Sequence, residues 1–185
     1  MDKFTNYAKN LISILNSQNW EQTKLLAESL RKAWQEGNRM YICGNGGSAA
    51  NAIHLANDLH YGIAKDSGLG MRAIALPANV AVITCLANDI SYEDIYSQQL
   101  QVQGEKGDIL IVLSGSGNSP NIVKVVRVAK EIGMISFAIV GYSGGKCKAI
   151  ADHTIHIPID DMQISEDMQL IVGHMVMQYL REKYP

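Results

Sequence analysis

No stretch of the 185-residue sequence approaches the apolar length needed to cross a bilayer, which excludes a membrane-spanning helix. Charge of one sign is lacking too: sixteen Lys and Arg stand against eighteen Asp and Glu, a net charge of −2. That balance argues against a bulk electrostatic grip on nucleic acid or on an anionic membrane. The N-terminus, MDKFTNYAKN, has no charged start followed by an apolar run. Nothing there marks the chain for export, and the expected location is the cytoplasm. Cysteine is scarce. Cys43, Cys85 and Cys147 are odd in number and in no metal-knuckle spacing, so they read as reduced, mostly buried thiols. Prolines number four and phenylalanines two, whereas glycines number sixteen. Apolar residues make up 47%, enough for one well-filled core.

With no linker, repeat or low-complexity tract, 1–185 reads as a single α/β domain: N-terminal helices over 1–36 and an α/β core over 37–185. The first block is free of glycine, and Trp20, Thr23, Ala27, Leu30 and Trp34 recur at helical spacing before Gly37. Beyond it, apolar runs at 40–43, 73–76, 109–113, 135–140 and 153–157 alternate with helical stretches at 49–60, 81–87, 92–103, 121–131 and 145–151. A last helix is expected from about 164 to 182. Short, nearly all-apolar strands separated by helices predict a parallel sheet buried on both faces.

Half of the glycines follow the apolar runs: Gly44, Gly46 and Gly47, then Gly115 and Gly117, then Gly141, Gly144 and Gly145. In an open parallel sheet, loops at the carboxyl ends of strands form the ligand crevice. The segment 43–49 matches the dinucleotide fingerprint literally, but the next strand ends Ala75-Leu76-Pro77 without the acid that holds a ribose. The run 141–147 falls short of a nucleoside-triphosphate loop, with Val140 at the first glycine position and Cys147 at the final hydroxyl. Ser114-Gly-Ser-Gly-Asn-Ser119 is more telling, because its hydroxyls lead into a helix beginning near Pro120. Helix N-termini offer free amides and a positive dipole end, and serines add donors without charge. Ser48 opens its own helix in the same way. Together Ser48, Ser114, Ser116 and Ser119 describe a monophosphate pocket, although each alone would serve as a helix cap or turn former.

A phosphate pocket binds but does not catalyse. His54 and Asp58 lie four apart, on one helix face. Glu166 and His174, eight apart, fall within about 80° of one another on the final helix. Two imidazoles and two carboxylates suit zinc or a similar divalent ion and could also serve as acid and base. Each has a plainer reading as a satisfied histidine or a solvated carboxylate. His60, His153 and His156 are read that way.

The pair Gly-Asn-Gly-Gly-Ser (44–48) and Ser-Gly-Ser-Gly-Asn-Ser (114–119) resembles the sugar isomerase (SIS) domain, and Ala87-Asn-Asp89 resembles the phosphoheptose isomerases in particular. The resemblance runs over nearly the whole chain. It implies a flavodoxin-like five-stranded parallel sheet with helices on both faces. It also implies a homotetramer with active sites at subunit interfaces. Ser48, Ser114, Ser116 and Ser119, with Gly46 and Gly47 in the loop, would hold the sugar phosphate, and Asn45 and Asp89 would lie near the sugar chain. His54 matches the family's metal-binding histidine, and His174 its catalytic histidine, contributed across an interface. Asp58 falls where the isomerases carry a glutamate base, one methylene longer. Glu166 falls where they usually carry a glutamine that joins the metal. The implied zinc set, one ion per subunit, is His54, Asp58, Glu166 and His174, with Asp58, Glu166 and His174 as candidate catalytic groups. The implied reaction converts sedoheptulose 7-phosphate to a manno-heptose 7-phosphate through an enediol. Alternatives are an isomerase of a pentose or aminosugar phosphate, and a silent SIS module that binds a partner protein or senses a sugar phosphate.

Overall fold

The computed structural model describes residues 2–65 and 68–182. Two helices come first, α1 (Lys3–Ser17) and α2 (Glu21–Glu36). Asp2 caps α1 by accepting from the Thr5 amide at 2.9 Å, and Gly37 ends α2 in the left-handed region at φ 75°. The core then alternates β1 (Arg39–Gly44), α3 (Gly47–His60), β2 (Arg72–Ala75), α4 (Val80–Asp89), α5 (Ser97–Gln103) and β3 (Ile109–Ser114). It continues with α6 (Pro120–Ile132), β4 (Ile135–Val140), α7 (Gly145–Ile150), β5 (His153–His156) and α8 (Met162–Glu182).

The five strands form one parallel sheet in the order β2-β1-β3-β4-β5. This is the flavodoxin-like order expected from the resemblance, with its switch point between β1 and β3. Alternate strand residues feed two cores. Met40, Ile42, Ile111 and Ile139 pack under α2, α3 and α8, whereas Tyr41, Cys43, Val112 and Ala138 pack under α5, α6 and α7. Every residue of β3 is buried, as a central strand covered on both faces requires.

One expected element divides. The helix expected over 92–103 becomes a 3-10 turn at Tyr92–Asp94 followed by α5. Ser91 and Asp94 satisfy their backbone locally instead of continuing the helix. The Ser91 hydroxyl accepts from the Glu93 amide at 3.1 Å and donates to buried Asp94 at 2.7 Å. Lys124 from α6 then pins Asp94 at 2.6 Å. Of the cysteines, Cys43 and Cys147 are buried and Cys85 is exposed. Burial pushes the Cys147 thiol up to about 11 and Cys43 further in the same direction.

Candidate active site

The loops that follow β1 and β3 lie side by side at the switch point, where neighbouring strands send their helices to opposite faces of the sheet. Between them opens a cleft of about 290 Å³. Asn45, Gly46, Gly47 and Ser48 line one side, Ser114, Ser116 and Ser119 the other, and Glu166 and Met162 of α8 close the end. All four candidate phosphate serines therefore come together. Ser119 is the N-cap of α6 but makes no side-chain cap bond, which leaves its hydroxyl to the cleft. Ser114 steadies its own loop by accepting from the Gly117 amide at 3.0 Å. A Cβ on Gly47 would fall on the Glu166 carboxylate, so the bare glycine leaves that carboxylate its present place at the cleft.

Two helix turns along α3, His54 and Asp58 meet His174 of α8. The Nε2 atoms of His54 and His174 are 3.0 Å apart, and Asp58 Oδ2 lies 3.3 Å from the first and 3.6 Å from the second. The spacing of four residues on α3 puts His54 beside Asp58 as the helix period demands. Packing of α3 against α8 delivers His174 within the same chain, whereas the resemblance implies that this histidine acts across a subunit interface. The histidine side chains are about half exposed, at 50% and 46%, and Asp58 is 16% exposed. One ligand atom from each lies within 4.8 Å of the others, so the donor set suits a divalent cation.

Glu166 does not join this cluster within one chain. It precedes His174 by eight residues, about 12 Å of helix rise, and its carboxylate sits at the anion cleft instead. Asp89 is likewise not among the residues lining the cleft. It is exposed at the end of α4, where the Asn88 amide, and then the Cys85 thiol at 3.3 Å, hold its carboxyl below the usual range. The remaining histidines are placed as ordinary structural groups. His156 bonds the Tyr142 carbonyl at 2.8 Å, His153 packs on Phe137, and His60 is exposed.

Two buried amides escaped the sequence reading. Gln169 donates to the Ser48 hydroxyl at 3.0 Å and accepts from Asn51 at 3.0 Å, so it ties the anion loop to α8. Asn51 also donates to the Glu166 carbonyl at 3.0 Å. Asn121 pairs with Asn45 across the two loops. The legible signal for Gln169 is a polar residue one step along from Met168, on the stripe that Val172 and Val176 continue.

A sheet of this order with serine-lined loops at its switch point defines a SIS domain, and the SIS domain family model matches residues 3–141. The chain is 40% identical to the phosphoheptose isomerase of Akkermansia muciniphila over 80% of its own length and 78% of that protein's. It is 34% identical to phosphoheptose isomerase 1 of Campylobacter jejuni, covering 92% of this chain and 89% of the relative. A solved phosphoheptose isomerase from Francisella tularensis superposes with a TM-score of 0.91 at 26% identity, covering 98% and 97% of the two chains. The chain belongs to the phosphoheptose isomerase family of SIS-domain proteins.

Proposed function

We propose that the protein interconverts sedoheptulose 7-phosphate and D-glycero-D-manno-heptose 7-phosphate by aldose–ketose isomerisation. The observation that carries this reading is one chain's pairing of a serine-lined anion cleft with the His54–Asp58–His174 cluster, whose nearest member on α3, His54, lies about 9 Å of rise from Ser48. A seven-carbon sugar anchored by its terminal phosphate can reach that far with its C1–C2 end. Ser48, Ser114, Ser116 and Ser119 bind the phosphate with neutral donors, and the N-termini of α3 and α6 add their dipoles.

At the other end, Asp58 takes a proton from C1 of the ketose. His174 moves a proton from the C1 hydroxyl to the C2 oxygen as the enediol forms and collapses, and the carbon proton returns at C2. Asp58 suits the base role better than Glu166, because it stands beside both histidines while Glu166 stands at the phosphate end. His54, Asp58 and His174 would hold zinc or a similar divalent ion, one per subunit, with Asp58 serving as base only when its carboxylate is not bound to that ion, and Glu166 would complete the set only from another copy of the chain. Such an ion supplies polarisation of the carbonyl and hydroxyl oxygens.

The half-exposed cluster lacks an outer wall, and two helices that pack on the core by one face leave the other uncovered. Neither α1 nor α4 has a buried residue, and Phe4, Ile12 and Val80 are among the apolar side chains they expose. These faces support a homotetramer with active sites completed at subunit interfaces. Among the described residues no helix is long and apolar enough to cross a membrane. A cytoplasmic location remains part of this reading.

The departures at Asp58 and Glu166 favour one other reading, a sugar-phosphate sensor without turnover. Incubation with ketose phosphates in deuterated water separates the two. The isomerase incorporates deuterium at C1 of sedoheptulose 7-phosphate and at C2 of the aldose product, and loses that activity on exhaustive chelation. Binding without exchange on any ketose phosphate overturns the enzyme reading.

A further inference from the structure

Asn121 is the second residue of α6 and is 1% exposed, yet its side chain does not face solvent or merely cap its own helix. Its Oδ1 accepts from the Ile122 amide at 3.0 Å and from Asn45 Nδ2 at 2.9 Å. Its Nδ2 donates to Asn45 Oδ1 at 2.8 Å, and the Tyr92 hydroxyl reaches the same oxygen at 3.3 Å. A reciprocal amide pair can ordinarily flip as a unit, with carbonyl and amine exchanged on both partners. Here the Ile122 N–H, which also donates to the Ser119 carbonyl at 3.0 Å, can only donate toward Asn121 Oδ1 and so disfavours the exchange. The polarity of one helix amide therefore passes through Asn121 to Asn45.

The count of donors and acceptors then closes on the cleft. Both lone pairs of Asn45 Oδ1 are taken, by Asn121 and Tyr92, and one of its two amine hydrogens goes to Asn121. One N–H remains, on a residue that lines the anion cleft. We infer that Asn121 is a positioning residue that locks Asn45 as a donor toward an oxygen of the bound sugar phosphate, joining the β1 and β3 loops into one preformed site. This rests on the isomerase reading for the identity of the ligand but not for the polarity of the pair.

The relay itself is tested without any ligand, from the side-chain amide resonances of Asn45 in the free protein. The wild type shows two well-separated hydrogens, one slow and one fast in exchange with solvent. Asn121→Ala collapses that difference. Equal behaviour of Asn45 in the wild type and Asn121→Ala overturns the relay. If Asn121→Ala does not fold, the comparison of wild type with Asn121→Ser carries the same expectation.

Function is tested by calorimetric binding of sedoheptulose 7-phosphate in a double-mutant cycle. Asn121→Ala weakens binding about ten-fold, the scale of one lost buried hydrogen bond, and does nothing further in an Asn45→Ala background. In turnover the loss falls on KM, with kcat little changed. Additive losses, or a loss confined to kcat, overturn the positioning role. A wild type that binds without turning over counts against the isomerase reading alone, because the amide resonances and the binding cycle remain readable.

Discussion

Replacing Glu166 by Gln removes a negative charge from the wall of a cleft whose other lining residues are all uncharged. The carboxylate lies over the bare backbone of Gly47, about 12 Å of helix rise from His174. In a cleft of about 290 Å³ a phosphate at the centre lies roughly 5 Å from a carboxylate on the wall, where each pair of unit charges costs about 1 kcal/mol at the dielectric of water and about 3 kcal/mol nearer a protein surface. The site is open and wet, so the lower figure applies, and a phosphate carrying nearly two charges doubles it. Inorganic phosphate is therefore expected to bind Glu166→Gln about ten-fold to thirty-fold more tightly by calorimetry in low salt, with the gain shrinking as ionic strength rises. Deuterium exchange into sedoheptulose 7-phosphate, measured on the same variant, reports separately whether the carboxylate also takes part in turnover. Phosphate binding that is unchanged or weaker in Glu166→Gln would falsify the placement of this charge at the phosphate end.

Asp58→Asn is expected to lower deuterium exchange at C1 by about 10²–10⁴-fold, the usual contribution of a general base, while inorganic phosphate affinity stays within about two-fold. Normal exchange in this variant would move the base elsewhere. His174→Ala removes one of three converging ligands, so zinc affinity by competition with a chelator falls by more than the roughly 10–100-fold that loss of a supporting partner costs. Retention of stoichiometric zinc would mean that the ion sits on other groups. Tyr7 on α1 donates to Asp167 on α8, and burial, then that hydrogen bond, pushes its hydroxyl up to about 12 from the ordinary value of 10.0. Because the folded value is the higher one, the contact stabilises α1 in full below pH 10 and is lost as pH rises through about 12. Burial raises Tyr41 and Tyr96 as well, so the tyrosinate absorbance titration of Tyr7→Phe should lose one late hydroxyl and keep others, and an unchanged late phase would mean that α1 is not docked on α8.

The parallel sheet was legible because its central strands β1, β3 and β4 are nearly all-apolar runs without alternation, a pattern that burial on both faces explains. The anion cleft was legible because glycine and serine at strand ends leave few other uses. What escaped has one physical origin: hydrogen bonds between residues far apart in the chain leave no local period. Asn121 and Gln169 look like ordinary turn and helix residues until packing of α6 and α8 brings them to Asn45 and Ser48. The split of the helix expected over 92–103 belongs here as well, since Asp94 abandons the helix for Ser91 nearby and for Lys124 thirty residues away. Glu166 is the instructive case. Periodicity correctly set it near the His174 face of α8, within about 80°, but angle ignores rise, and eight residues carry it about 12 Å along the axis to the phosphate end. A side chain that reads as a fourth metal ligand is thereby a charge that a bound phosphate must face, unless a second copy of the chain presents its own cluster to this cleft. In a lone chain the two sites of charge are separate, and an oligomer is the arrangement that lets one Glu166 serve both.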